Sequence, residues 1–239
     1  FDPEELLAYE IGMKSTFLDG SMRLNAAVFY YDYENAQVFN SVEDPVLLAL
    51  PQNVVQNADE LSIWGFDADF NWRPIDAWSI TAGLGYTKSE FEDFELNVPG
   101  LDGIQTVQLQ GETPQNTPEW SFSLQTSYTF GLGEAGSLTA YLDGSYRSEV
   151  LFSNGTVQEA GNPDTYFRNE EIGEDAYTLV NARLAWMDTS QQWEVALWGR
   201  NLADKEYAVY MFELTGLIGA DQVLRGTPRT YGVDLRYVF

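Results

Sequence analysis

A side-chain period of two runs through most of this chain and predicts half-buried β-strands. From Trp120 to Phe130 apolar residues occupy every second position except Thr126, and serine, glutamine and threonine lie between them. An α-helix, whose period is 3.6 residues, would mix these two sets on each of its faces. The same alternation recurs in about nine segments, each near the ~10 residues that a tilted membrane-spanning strand needs. We therefore predict an all-β fold.

The connections between these segments alternate between short and long. We predict short turns at Leu18 to Ser21, Arg73 to Ala77, Gly131 to Ser137 and Asp188 to Gln192. We predict long, polar, irregular connections at Asn40 to Asn57, Glu92 to Pro118, Leu151 to Asp175 and Tyr207 to Gly226. Bacterial outer-membrane barrels have short periplasmic turns and long extracellular loops. The pattern therefore predicts an antiparallel transmembrane β-barrel.

Aromatic residues mark the ends of the predicted strands. Those that we place beside the short turns are Trp72, Trp78, Trp120, Phe130, Trp186, Trp193, Tyr237 and Phe239. Amphipathic rings prefer the headgroup level of a bilayer, where they form a girdle. A soluble β-sandwich would use such rings in its core, and any single ring fits that interpretation as well. Their repetition beside successive short turns favours the membrane interface.

Charge and missing residue types exclude several functions. The chain has 12 lysine and arginine residues against 37 aspartate and glutamate residues, a formal net charge of −25. This balance argues against nucleic-acid partners, because binding a polyphosphate needs the opposite charge. The chain contains neither histidine nor cysteine, so imidazole catalysis and thiolate metal sites are excluded. We predict that it is not an enzyme, with no catalytic residue, no cofactor and no metal ligand.

One acidic cluster leaves two interpretations open. Its members are Glu170, Glu171, Glu174 and Asp175. Their carboxylates could hold a calcium ion through oxygen ligands, but their spacing is not that of an EF-hand. A solvated acidic loop is the interpretation that we favour.

The number of predicted strands is odd, which suggests that this chain does not form a closed barrel by itself. Single-chain bacterial barrels have an even number of strands, and an open sheet edge in lipid leaves backbone donors without acceptors. Either further strands precede Phe1, which is the interpretation that we favour, or the chain pairs with another chain.

Three sets of residues resemble one family. Asn201, Leu202, Asp204, Lys205 and Tyr207 are similar to the N-L-x-D-K-x-Y motif of TonB-dependent receptors, which lies on their second-last strand. The closing strand of that family resembles Gly226, Pro228, Arg229, Tyr231, Gly232 and the terminal Phe239. Its P-E-x-x-x-x-Y-E-x-G-x-K barrel strand resembles Pro3 to Lys14. The three motifs occur in the family's order and cover nearly the whole chain.

The resemblance implies a fold and a function. The expected whole is a barrel of about 22 strands that encloses an N-terminal plug. Residues 1–239 would be its C-terminal portion, and the plug and earlier strands would lie outside this sequence. The implied function is active import of a scarce nutrient, a ferric siderophore above all, across the bacterial outer membrane. The implied partners are membrane lipid, lipopolysaccharide, the plug, and the TonB complex, which supplies the energy.

Two other functions stay open alongside active transport. One is a passive porin, although the family motifs weigh against it. The other is a soluble, carbohydrate-binding β-sandwich.

Ligand contacts are predicted in the long connections. Aromatic platforms with a few polar anchors suit flat apolar ligands and sugars. The candidates are Phe152, Tyr166, Phe167, Arg168, Tyr210, Met211 and Phe212. Packing within the loops, or contact with lipopolysaccharide, is the alternative role for these side chains.

Overall fold

The computed structural model describes residues 1–42, 52–100, 103–153, 156–157, 166–167, 172–212 and 220–239. No helix within these ranges is long and apolar enough to cross a membrane. The strands are β1 (Glu5–Phe17), β2 (Met22–Val42), β3 (Gln52–Ile75), β4 (Trp78–Asp93), β5 (Glu95–Gly100), β6 (Gly103–Gln108), β7 (Trp120–Gly131), β8 (Ser137–Arg147), β9 (Val150–Leu151), β10 (Thr156–Val157), β11 (Tyr166–Phe167), β12 (Gly173–Glu174), β13 (Tyr177–Met187), β14 (Trp193–Arg200), β15 (Ala208–Phe212), β16 (Gln222–Arg225) and β17 (Thr230–Tyr237).

Nine of these strands form one antiparallel sheet in the order β1-β2-β3-β4-β7-β8-β13-β14-β17. Every spanning strand pairs with its neighbour in the chain, which confirms the predicted antiparallel up-and-down arrangement. The remaining strands pair in short hairpins: β5 with β6, β9 with β12, β10 with β11, and β15 with β16. Two 3₁₀ turns, Leu18–Gly20 and Gly133–Ala135, connect β1 to β2 and β7 to β8. This single sheet replaces the two packed sheets that a soluble β-sandwich would need.

The strand register separates polar from apolar side chains across the sheet. One row of directly opposed residues on six neighbouring strands is Leu24, Phe70, Ala82, Leu124, Gly144 and Val180. The adjacent row, displaced by one residue, is Arg23, Asn71, Thr81, Gln125, Asp143 and Asn181. Successive side chains of a strand point to opposite faces. One face is therefore apolar, as the lipid-facing side of a barrel wall is, and the other is polar, as its lumen is.

The polar face is cross-linked by its own side chains. Asn181 Nδ2 donates to Asp143 Oδ2 at 2.6 Å, and the Thr81 hydroxyl donates to Asn71 Oδ1 at 3.1 Å. Arg183 forms an ion pair with Glu194 on the same face. The carboxylates and amides of the alternating pattern thus find partners on neighbouring strands.

Two aromatic girdles bound the apolar face. At the end that carries the 3₁₀ turns, hereafter the short-turn end, the rings include Trp72, Trp78, Phe130, Trp186, Trp193 and Tyr237. Near the opposite end, hereafter the long-loop end, a second girdle consists of Tyr9, Tyr30, Trp64, Tyr86 and Trp120.

The placement of Trp120 corrects one prediction. It begins β7 and lies 4.7 Å, between ring centroids, from Tyr86, so it belongs to the second girdle and not to the short-turn end. Trp120 and Phe130 are ten residues apart, or about 33 Å along a strand at ~3.3 Å per residue. A tilt of about 40° reduces this to about 25 Å, the height of a barrel's apolar band.

The predicted long connections contain more regular structure than their composition indicates. Strands β2 and β3 remain paired as far as Val42 and Gln52, within the segment that we predicted to be irregular. The connection after Glu92 contains the β5–β6 hairpin, and the connection after Tyr207 contains the β15–β16 hairpin. The prediction that these segments are irregular is wrong. Their strands are held by backbone hydrogen bonds to a partner strand, and local composition does not reveal such pairing.

Buried apolar residues are concentrated at the long-loop end. A first loop core consists of Ala36, Ala58, Leu61, Phe91, Phe94, Leu96, Val107 and Leu109. A second loop core consists of Val150, Phe152, Ile172 and Ala208. The spanning wall itself is a single layer, so the described chain packs a core of this kind where its loops fold over one another.

Candidate functional site

The long-loop end is held together by contacts between different connections. The segment that follows β6 joins two of them: Gln115 Nε2 donates to the carbonyl of Phe39 at 3.2 Å, and the Asn116 amide donates to the carbonyl of Leu151 at 2.8 Å. The Phe152 amide then donates to the carbonyl of Ile172 at 2.8 Å. The first and second loop cores are thereby linked into one surface above the wall.

Phe152 is a core residue of this surface. Its side chain is only 2% exposed and packs with Val150, Ile172 and Ala208. Tyr210 and Met211 pack against the same cluster, and the rings of Phe152 and Tyr210 lie 5.4 Å apart. The sequence pattern placed Phe152 among ligand-facing rings, whereas the structure uses it to hold β9 and β12 against β15.

Phe212 is the aromatic residue of this group that reaches solvent. It is 49% exposed, and its ring lies 4.8 Å from that of half-buried Tyr210 in an edge-on arrangement. The two rings form a shallow aromatic platform next to the second loop core. Tyr166 and Phe167 form β11, paired with Thr156 and Val157 through the backbone.

The prediction for Arg168 lies outside the described residues, as do those for Glu170 and Glu171. Of the acidic cluster, the structure describes Glu174 and Asp175. Glu174 is engaged within the protein: it accepts a hydrogen bond from the Ala208 amide at 2.6 Å and lies 3.4 Å from the Lys205 ammonium. Within the described residues no group of three or more carboxylates is placed to hold a metal ion.

Asn201 organises the N-L-x-D-K-x-Y segment. It is 4% exposed and has a positive φ of 49°. Its Oδ1 accepts from the Lys205 amide at 2.9 Å, while its Nδ2 donates to the carbonyls of Lys205, at 2.8 Å, and Thr227, at 3.2 Å. The Asn201 amide donates in turn to Asn181 Oδ1 at 2.8 Å. The backbone and side chain of Asn201 together therefore join β13, its own turn and the approach to β17.

The motif occupies a turn, which corrects its predicted location on a strand. Strand β14 ends at Arg200, immediately before it, and β15 begins at Ala208, immediately after it. Asp204, with a φ of 55°, pairs with Arg229 at 3.0 Å and so ties this turn to the segment before β17. Leu202 anchors the other side, where its amide donates to the Val180 carbonyl at 2.8 Å.

Tyr207 forms a stack that crosses four chain segments. Its ring lies over Gly226, where an added Cβ would come within 2.0 Å of Tyr207 Cζ. The ring centroids of Tyr207 and Tyr177 are 4.8 Å apart. Arg147 lies above the Tyr177 ring, with its Cζ 5.0 Å from the centroid. We call these four residues the rim stack.

Arg147 is a residue that the sequence pattern did not distinguish. It ends β8 on the polar face, and its Nε and Nη2 atoms are buried without an acceptor among the described residues. A guanidinium normally pairs with a carboxylate or with hydrogen-bond acceptors when buried. The signal that could have found it is the scarcity of cations in an acidic chain, combined with its place at the end of a polar strand face.

The remaining motif residues belong to the last strand and its approach. Pro228 is exposed, and Tyr231 is 82% exposed on the apolar face. Gly232 leaves room for Trp198, because an added Cβ would lie 2.6 Å from the indole ring. Phe239 is fully exposed at the end of the chain, and its ring lies 4.9 Å from that of Tyr237 in the short-turn girdle. The motif thus contributes packing and turn geometry at both ends of the wall.

The structure brings one part of the predicted site together. Tyr210, Met211 and Phe212 adjoin the second loop core, whereas Tyr231, Gly232 and Phe239 lie along the wall or at its other end. The arrangement offers an aromatic platform, a half-buried guanidinium and a polar interior face.

Comparisons with known proteins agree with this architecture. Residues 1–202 match the family model described as TonB dependent receptor-like, beta-barrel. The probable TonB-dependent siderophore receptor PiuA of Acinetobacter baumannii is 30% identical over 148 residues, which cover 59% of this chain and 19% of that protein. The ferric-pyoverdine BN7/BN8 receptor of Pseudomonas putida is 23% identical over 239 residues, covering 100% of this chain and 23% of that receptor.

Solved structures support the same fold. The ferric yersiniabactin uptake receptor FyuA from Yersinia pestis superposes with a TM-score of 0.70 at 17% identity, over 99% of this chain and 30% of the receptor. The siderophore receptor PiuA from Acinetobacter baumannii superposes with a TM-score of 0.70 at 22% identity, over 99% of this chain and 29% of the receptor. The chain therefore spans less than a third of the relatives it matches.

Proposed function

This chain belongs to the TonB-dependent receptor family, and from that premise we propose that it forms part of the barrel wall of a receptor that imports a ferric siderophore. Members of the family are outer-membrane transporters and not enzymes. The proposed location is the bacterial outer membrane, with the apolar face against lipid and the long-loop end outside the cell.

The proposal rests on the sequence similarity between this chain and proteins that are named as siderophore receptors. PiuA is 30% identical, and the pyoverdine receptor aligns with all 239 residues of this chain, its long connections included. The geometry is consistent with this role. A two-faced antiparallel wall suits a barrel with a polar lumen, and the linked loop cores provide a firm surface on which a ligand can bind.

We propose Tyr210 and Phe212 as ligand contacts, together with Arg147. The two rings offer an apolar platform beside the second loop core. Arg147 offers a cation whose Nε and Nη2 lack an acceptor among the described residues, so a negatively charged oxygen of a bound chelate would compensate its desolvation. Tyr166, Phe167 and Arg168 remain proposed contacts from the connection between β9 and β12.

The proposed partners follow from membership of the family. The energy for transport would come from the TonB complex, which would act on a part of the receptor outside this sequence. Lipopolysaccharide would surround the wall in the outer leaflet, next to the second aromatic girdle. The interior face would contact a plug domain.

Iron uptake by the full-length receptor tests the function. The receptor is produced in a host that lacks its own ferric siderophore receptors, and radioactive iron uptake is measured with catecholate, hydroxamate and mixed chelates. We expect saturable uptake of at least one of these chelates, and we expect that uptake to disappear in a matched host without the tonB gene.

The control host separates the proposal from its alternatives. Uptake that is equal with and without tonB, and that does not saturate, would indicate a passive porin. Saturable, tonB-dependent uptake of cobalamin or a maltodextrin, with none of any ferric chelate, would keep the transport mechanism and replace the substrate.

A further inference from the structure

A groove of about 430 Å³ lies on the apolar face of the wall between β4, β7 and β8. Its lining includes Trp78, Thr126, Tyr128, Ala140 and Leu142 of the apolar face, together with Tyr141, whose ring lies on the polar face beneath Arg183. The groove is shallow and open along the apolar face.

The groove exists because small side chains lie between large ones. Trp78 opposes Tyr128 across strands, and Tyr128 opposes Ala140 on the other side. Thr126, two residues before Tyr128, opposes Leu142. The Trp78 and Tyr128 rings therefore form one wall and Leu142 the other, with the short side chains of Thr126 and Ala140 forming the floor.

Two polar groups beside this floor have partners within the protein. Trp78 Nε1 donates to the Thr126 hydroxyl oxygen at 2.9 Å. The Thr126 hydroxyl donates in turn to the carbonyl of Ser79 at 3.1 Å. Because this indole N–H and this hydroxyl already have hydrogen-bond partners, they need no hydrogen bond from a ligand. A donor without a partner would be unfavourable in lipid. The groove is therefore lined mainly by aromatic and aliphatic carbon, and its indole N–H and threonine hydroxyl require no partner from an occupant.

The depth of the groove identifies its side of the membrane. Trp78 directly follows the turn that ends β3, at the short-turn end, and its ring lies 6.3 Å from that of Trp72 in the same girdle. Short turns of bacterial outer-membrane barrels face the periplasm. The groove thus begins at the periplasmic headgroup level and extends towards the middle of the bilayer, in the leaflet that phospholipids occupy.

We propose that this groove binds one acyl chain of a phospholipid from the periplasmic leaflet, an inference that rests on the membrane location in the proposed function. The chain lies over Thr126 and Ala140, with Trp78 and Tyr128 on one side and Leu142 on the other. Exposed rings and aliphatic side chains surround the groove, with Trp78 38% and Leu142 45% exposed in the absence of lipid. A chain that comes from the bilayer has already left water, so its selection over bulk lipid depends on the fit of the groove.

Native mass spectrometry of the full-length receptor, released from detergent in the presence of phosphatidylethanolamine, tests the proposal. The variants are Ala140→Phe, which fills the groove, and Ala68→Phe, which adds the same ring to a half-buried alanine on the apolar face of β3. We expect the wild type and the Ala68 variant to retain one phospholipid that the Ala140 variant loses. Ala140→Leu fills less of the groove and provides the same comparison if the phenylalanine prevents folding.

The outcomes distinguish the groove from the membrane location. Equal retention by the wild type and both filled variants would overturn the groove while leaving the transport proposal unchanged. Retention of a lipid A species in place of the phospholipid would overturn the assignment to the periplasmic leaflet. A receptor that stays in solution without detergent would overturn the membrane location, and this inference with it.

Discussion

The two ends of the wall are built by different means. At the short-turn end, turns are closed by residues a few positions apart: the Ser21 hydroxyl donates to the Leu18 carbonyl at 2.8 Å, and Asp188 accepts from the amides of Gln192 and Trp193 at 2.9 Å. At the long-loop end the bonds join distant positions, such as Asn116 to Leu151 and Asn201 to Thr227. Neighbouring connections at the short-turn end are also joined, from the Arg73 amide to the Ser21 carbonyl at 2.8 Å and from Trp186 Nε1 to the Ala135 carbonyl at 2.7 Å. The short-turn end therefore combines local closure with bonds between adjacent turns, whereas the long-loop end depends mainly on contacts between distant positions.

This difference suits the proposed roles of the two ends. A turn that closes on itself needs few residues and tolerates changes elsewhere in the chain. A binding surface instead needs side chains from several connections held in fixed relation, which the loop cores and the rim stack provide. We therefore expect substitutions at the long-loop end to propagate between connections, and substitutions at the short-turn end to remain local.

The largest expected effect is at Phe152. Replacement by alanine leaves a cavity beside Val150, Ile172 and Ala208, and large-to-small changes of this kind cost about 3–5 kcal/mol. We expect this loss as faster amide hydrogen exchange in β9, β12 and β15 of the full-length receptor, with β1 to β4 unchanged. Phe212→Ala is the matched control: it removes a ring that is 49% exposed, so it should alter ligand affinity with little effect on exchange. Equal exchange in both variants would show that the second loop core does not hold these connections together.

The next effect is at Asn201. Alanine removes the acceptor of the Lys205 amide and the donor to Lys205 and Thr227 in a buried location, and each unpaired buried group costs about 1–3 kcal/mol. Aspartate keeps the acceptor and loses the donor, so it should be intermediate. Protease cleavage between residues 201 and 230 of the folded receptor measures the series. If the aspartate variant is cleaved as fast as the alanine variant, the stabilisation comes from the two hydrogen bonds that Asn201 donates to carbonyls, and the bond that it accepts contributes nothing measurable.

A smaller effect is expected at Gly226. An alanine there would place its Cβ against the Tyr207 ring, and overpacking of this kind costs about 1–3 kcal/mol. The penalty should nearly vanish when Tyr207 is also replaced by alanine, so a double-mutant cycle isolates the contact. Gly20→Ala is the counterpart at the short-turn end, where the added Cβ meets no atom within 4 Å and only the positive φ of 92° opposes it. A Gly226 penalty that persists without Tyr207 would attribute the effect to the backbone.

How far the sequence predicts this molecule follows the same division. The alternation that places Leu24, Phe70 and Ala82 on one face was sufficient for the nine-stranded sheet, because a period of two fixes which residues share a face. The short turns could be located as well, since their partners are adjacent in the chain. At the short-turn end, the local sequence pattern is therefore enough to predict where the strands end and where the turns lie.

At the long-loop end the sequence predicted less. Nothing local to Tyr207 indicates that Gly226 lies beneath it or that Tyr177 lies beside it, because these contacts depend on how three connections meet. The family motif drew attention to Asn201 and Asp204 but did not show that they close a turn. Phe152 was an aromatic residue in a polar segment, which composition interprets as exposed, whereas the second loop core buries it.

The smallest predicted effect concerns Asp188, and it tests whether the short-turn end responds on its own. A hydrogen bond from the Ser190 hydroxyl, and others from the amides of Trp193 and Gln192, lower the pKa of this carboxyl below its ordinary value. A lowered folded pKa means that the carboxylate stabilises the turn above the unfolded pKa of about 3.9, and that this stabilisation is lost as the pH falls through the folded pKa.

The amide resonance of Trp193 in the full-length receptor reports this titration, because that amide donates to Asp188 at 2.9 Å. We expect its midpoint below that of an ordinary aspartate, a flat profile in Asp188→Asn, and no accompanying change in the rim stack. A titration midpoint at or above that of an ordinary aspartate would show that these hydrogen bonds do not lower the pKa of Asp188. A concurrent shift in the amide resonance of Tyr207 would show that the two ends are coupled through the strands. The protonation of Asp188 would then affect the long-loop end as well as its own turn.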